Sequence, residues 1–69
     1  MPLSYGAYKT EAERFCNDRG YDTSKYNNLE RTELHIHMHS FVARYYSDAK
    51  EALKVEKVFE NSFWQDHTN

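Results

Sequence analysis

Leu34-His35-Ile36-His37-Met38-His39 alternates apolar and imidazole side chains, which is the period of a β-strand. The same six residues also open a helical pattern. Leu34, Met38, Phe41, Val42 and Tyr45 fall at i, i+4, i+7, i+8 and i+11, one face of a helix. Length separates the two readings. No Gly, Pro, Asn or Asp interrupts residues 29–46, and a strand of that length would far exceed the usual ~5–6 residues. A strand would also need a partner, for which only the N-terminal segment is a candidate. The expected fold is therefore all-α, a small three-helix domain with helices near 10–19, 28–46 and 48–64. The alternative is a small α+β fold with residues 33–46 as strand.

Working outward, residues 20–28 (Gly-Tyr-Asp-Thr-Ser-Lys-Tyr-Asn-Asn) are rich in turn formers and read as an internal loop. Asn27 or Asn28 is placed to cap the following helix, with Glu30 in its first turn. Before the loop, Thr10 and Glu13 have capping-box spacing. Ala12, Phe15 and Cys16 follow on one face, and Gly20 stands where a helix ends. Entry from further back, at Ser4, is also compatible. After the middle segment, Ser47 or Asp48 can cap a third helix, with Glu51 three residues beyond Asp48. Residues 65–69 read as a polar tail.

The chain of 69 residues is expected to form a single domain, 1–69, with a formal charge of −2. No apolar run suits a membrane helix, and Met1-Pro2-Leu3-Ser4 does not resemble a secretory signal, so a cytoplasmic location and no membrane partner are expected. Cys16 is the only cysteine, which excludes an internal disulfide and any multi-cysteine zinc site. Four Leu, one Ile, three Val and four Phe make a thin aliphatic core, and six Tyr and one Trp must supply much of the buried area. A domain this small gains from a second copy, a partner or a metal.

At about 100° per residue, the third helix sends Ala52, Phe59 and Phe63 one way, and Ala49, Leu53 and Trp64 another. Glu56 and Glu60 project between them as an acidic seam. They either lie at the rim of one broad apolar face or separate two faces, the second of which meets another chain through Trp64 and Leu53. The middle helix is apolar on two sides, with Leu29, Ile36 and Ala43 nearly opposite the Leu34–Met38 side, so self-association through it is natural.

His35, His37 and His39 are the constellation closest to chemistry. His35 and His39 are helical neighbours at i, i+4, but a zinc site wants three or four ligands, and His67 or Glu33 would have to be recruited. No metal site and no cofactor are assigned; these three histidines are the candidates if metal binds. Histidines titrating near pH 6.5 would also suit a pH-sensitive interface. No catalytic set is legible: Cys16 lies beside Phe15 on an apolar face, and no glycine-rich phosphate loop exists. An enzyme is not expected. Lys50, Lys54 and Lys57 form a basic line, yet Glu51, Glu56 and Glu60 offset it and the isoelectric point is about 6.0, so nucleic acid is not the expected partner and a nucleic-acid-associated regulator is a lesser reading.

The functional expectation is a small intracellular protein-interaction module that binds and modulates, for instance inhibits, a larger protein. Homodimerisation is expected, and by analogy of size and composition alone so is an origin in a phage or mobile element. The partner-binding candidates are Trp64, Leu53, Glu56, Glu60, Tyr45 and Tyr46, with the carboxylates meeting a basic surface. A divalent-metal-binding module through His35, His37 and His39 is the alternative.

Overall fold

The computed structural model describes residues 2–67. They form three helices and, among the described residues, no strand: α1 (Tyr5–Arg19), α2 (Asn28–Ala43) and α3 (Ala49–His67). The helical reading of residues 34–39 holds, and the strand alternative for 33–46 is overturned. The alternation that resembles a strand arises because α2 lies between α1 and α3 and carries a polar line toward each.

Each boundary follows from local chemistry. α1 starts earlier than the Thr10–Glu13 spacing predicts, because Ser4 takes the cap: its Oγ accepts the N–H of Ala7 at 3.1 Å. Gly20 closes it with φ 73°, a left-handed conformation that costs glycine nothing, and Tyr21 N–H returns to the Cys16 carbonyl at 2.8 Å. In the loop, Asp22 Oδ1 accepts both the backbone N–H and the hydroxyl of Ser24, at 2.9 and 2.7 Å.

α2 opens with a complete capping box. Asn27 Oδ1 accepts the Glu30 N–H at 2.8 Å, and Glu30 Oε1 accepts the Asn27 N–H at 3.0 Å. The helix stops at Ala43, three residues short of the expected 46. Its last turn tightens, with Arg44 N–H on the Phe41 carbonyl at 3.3 Å and Tyr45 N–H on that of Val42 at 3.0 Å. Beyond it, the Tyr46 hydroxyl accepts the Leu3 N–H at 3.1 Å, which ties the α2–α3 turn to the start of the chain. Asp48 then caps α3 by accepting the Lys50 N–H at 3.0 Å. α3 runs past residue 64 to His67, so the part of the expected polar tail at 65–67 is helical; residues 68 and 69 lie outside the described residues.

The core takes one ridge from each helix. Tyr8, Ala12 and Cys16 on α1 and Leu34, Met38 and Val42 on α2 both repeat at i, i+4, i+8, the stripe that faces a neighbouring helix. Ala52, Phe63 and Trp64 of α3 and Leu3 from the N-terminal segment complete it. Aromatic packing replaces aliphatic packing in places. Tyr5 and Tyr8 meet Phe59 at centroid distances of 5.6 and 5.5 Å, and Tyr26 lies 4.2 Å from Trp64, pinning the internal loop onto α3. No helix among the described residues is long and apolar enough to cross a membrane.

Candidate functional site

The stripe of α3 that should be apolar contains a carboxylate. Ala52, Glu56, Phe59 and Phe63 succeed one another along its inner side, and Glu56 is only 5% exposed. A buried carboxylate is costly unless it is paired and hydrogen-bonded. Its partners are histidines of α2, not the guanidinium or ammonium groups that ordinarily neutralise such a charge. His39 Nδ1 lies 2.7 Å from Glu56 Oε1, and His35 Nε2 lies 3.7 Å from Glu56 Oε2.

One turn further along α3, Glu60 takes the other side of His35. The His35 Nδ1 stands 2.9 and 3.1 Å from its two oxygens, and since an ionised carboxylate only accepts, the ring N–H donates. The Trp64 indole N–H also points to Glu60 Oε2, at 3.4 Å. The result is a continuous chain across the α2–α3 groove: Trp64, Glu60, His35, Glu56, His39. The i, i+4 spacing of the histidines on α2 matches the i, i+4 spacing of the glutamates on α3, so two antiparallel helices present both pairs to each other. Ligand atoms of His35, Glu56 and Glu60 lie within 4.8 Å of one another.

His37 does not join them. Two residues from His35 is about 200° around a helix, so it faces α1 instead. There its Nε2 lies 2.8 Å from Glu11 Oε2, and its ring stacks on Phe15 at 4.3 Å between centroids. The Arg19 guanidinium lies over the same Phe15 ring, 4.4 Å from its centroid, and the Tyr21 hydroxyl donates to Glu33. His67 and Glu33, the ligands that a site on the three histidines would have to recruit, lie elsewhere: Glu33 accepts from Tyr21, and His67 Nε2 lies 3.2 Å from Glu13 on α1 without a hydrogen bond.

The other expected residues are scattered. Trp64 is 8% exposed, its ring held by Tyr26, by Phe63 and by Arg31, whose guanidinium sits 4.7 Å from its centroid. Trp64 is therefore core, whereas Ala49 and Leu53, expected on the same side of α3, stay exposed. Glu56 and Glu60 both meet histidines of α2, Glu56 from the interior and Glu60 from a half-buried position at the groove. Tyr46 is half-buried and bonded to Leu3, whereas Tyr45, stacked on Phe41 at 5.3 Å, and Leu53 remain exposed. The sequence reading singled out both glutamates and both histidines but not their partnership. The matched spacing was the available signal. No family model, no curated protein and no solved structure matches this chain.

Proposed function

We propose that the chain is a protein-interaction module that docks through the outer side of α2, and that the surface it first meets is a second copy of itself. The observation that carries this reading is where the scarce aliphatic residues lie. Ile36, the single isoleucine, is 63% exposed, and Leu29, one of four leucines, is 69% exposed. With the exposed Ala43 they fall at i, i+7 and i+14, one line along the helix. Scattered surface leucines are ordinary, but a line of them on a core-poor chain is apolar surface that another surface gains by covering.

A two-fold pairing suits that line. Two α2 helices packed antiparallel about Ile36 set Leu29 of each copy against Ala43 of the other, large against small, as a self-complementary interface requires. Leu53 adds to the apolar surface beside Ala43, where both line a groove of about 210 Å³. Asp48 and Glu51 are exposed nearby and are the carboxylates left to meet a basic surface on a larger protein.

Sedimentation equilibrium of the chain and of its Ile36→Glu variant, in chelator, tests this. The expected result is a dimer that the substitution converts to a monomer with helicity retained. A dimer indifferent to Ile36→Glu and Leu29→Glu would sink the stripe as the interface. A monomeric parent chain at high micromolar concentration would sink self-association and leave the stripe to a foreign protein.

A further inference from the structure

We propose that His35, Glu56 and Glu60 form a binding site for a divalent transition-metal ion of the zinc class, with His39 as a positioning residue. The donor set is one imidazole and two carboxylates, the count and chemistry of a three-ligand zinc site with a further position open to water or another ligand. Two carboxylates against one divalent cation also balance in charge, which a site made of histidines alone does not achieve.

The geometry is close to what the ion needs. Zinc bonds to N and O donors of ~2.0–2.2 Å imply tetrahedral edges of roughly 3.3–3.6 Å between ligand atoms. The ion takes a single His35 nitrogen: Nε2 stands 3.7 Å from Glu56 Oε2, near that edge, and the three donor atoms, one per residue, lie within 4.8 Å of one another, so Glu60 must swing from Nδ1 toward the ion. The ion takes the lone pair of the ring nitrogen that carries no proton, Nε2 when Nδ1–H donates to Glu60, so a neutral ring keeps its proton. His35 is half exposed on its side-chain surface, at 49%, so the ion has a path. The groove over the cluster, about 260 Å³, is lined by His35, Leu53, Glu56, Lys57 and Glu60.

Two further features mark the cluster as held in place. His39 occupies the outer oxygen of Glu56 at 2.7 Å, leaving the other oxygen for the ion, and the Trp64 indole N–H anchors Glu60. Hydrogen bonds of this kind to ligating carboxylates fix their orientation. Glu56, moreover, occupies a place on the apolar stripe of α3 where a methionine of similar volume would pack without needing any polar partner. The cluster rests on observations separate from the exposed stripe of α2, so it stands or falls apart from the interaction surface.

The test is zinc titration of the full chain against a chromophoric chelator, with thermal unfolding in parallel. The expected result is one zinc per chain at micromolar affinity or tighter, with the melting temperature raised by zinc. His35→Ala and Glu60→Gln, both at half-exposed positions, should abolish binding, and His39→Ala should weaken it about 10- to 100-fold. His37→Gln, on the opposite groove, should leave it unchanged. Glu56→Met separates the site from the fold: its melting temperature in chelator should equal or exceed that of the parent chain while zinc no longer shifts it. Absence of zinc binding by the folded parent chain would overturn the proposal and leave a hydrogen-bonded network. Binding that survives His35→Ala, or that is lost in His37→Gln, would equally overturn it.

Discussion

The two grooves that flank α2 are both closed by a histidine meeting a glutamate, yet they are built differently. On the α1 side, His37 has a single carboxylate, Glu11, and the flat of its ring lies on Phe15. The pair sits at the edge of an aromatic contact that continues through Tyr21 and Arg19. On the α3 side, His35 and His39 meet Glu56 and Glu60 with no aromatic ring stacked on either imidazole among the described contacts, and Glu56 lies in the interior. One groove uses a histidine as a flat apolar plate with a polar edge. The other uses two as nitrogen donors to buried charge. The same side chain therefore serves packing in one place and electrostatics in the other, and the neighbouring helix decides which.

The strongest perturbation strikes both grooves together. Met38 is 1% exposed and stands on the buried ridge between them, so Met38→Ala should cost about 2–5 kcal/mol through lost burial and a residual cavity. Chemical denaturation measures it, and a loss well under 1 kcal/mol would mean that the grooves, and not the ridge, hold α2 in place.

A sharper contrast comes from removing one glutamate on each side. Glu56→Ala should cost about 1–3 kcal/mol, because it opens space in the interior and strips His39 of its partner. Glu11→Ala should cost no more than about 1 kcal/mol, since that pair is partly solvated and Glu11 also reaches the exposed Arg14, 3.6 Å away. Equal losses from the two variants would erase the distinction between the grooves.

The third contact, between α1 and α3, is read by alkali. Burial holds the Tyr8 phenol well above the ordinary tyrosine range, with the Glu60 and Glu56 charges adding to it. Burial also raises Tyr5, helped by its 2.6 Å hydrogen bond to Asp66, and raises the Cys16 thiol. These groups keep their protons in the folded chain after the unfolded chain has lost them. Their contribution is complete at neutral pH and is lost as pH rises, from about 8.5 for the thiol and about 10 for the phenols. Tyr8 alone sets a slope of up to about 1.4 kcal/mol per pH unit above 10. Urea midpoints at pH 7 and 10.5 should show the fall, and Tyr8→Phe should flatten it. A midpoint that rises with pH would contradict the burial of Tyr8 against Phe59.

Much of this is legible in the sequence. Asn27 with Glu30 and Gly20 announce where helices begin and end, because caps act on backbone groups within a few residues of themselves. The errors at the ends have equally local causes. Thr10 has the spacing of a cap, but Ser4 stands one helical stretch earlier, and Gly6, the usual breaker between them, falls in the first turn, where it does not stop the helix. Tyr46 looks like a continuation of α2, but its hydroxyl is claimed by Leu3, forty-three residues away, and sequence spacing carries no record of that bond.

The same limit governs the candidate site. Sequence alone favoured three helices over a strand at 33–46; given helices, it placed His35 and His39 on one side of α2 and Glu56 and Glu60 on one side of α3, since helical phase depends only on residue number. It could not determine that those two sides face each other, or that Trp64 turns inward to anchor Glu60. Phase fixes a direction around each axis, whereas the occupant of that direction depends on how the helices cross. Only tertiary packing, by pressing α3 against α2, turned half of that acidic seam, Glu56, into a buried carboxylate between two imidazoles and left Glu60 half-buried beside it.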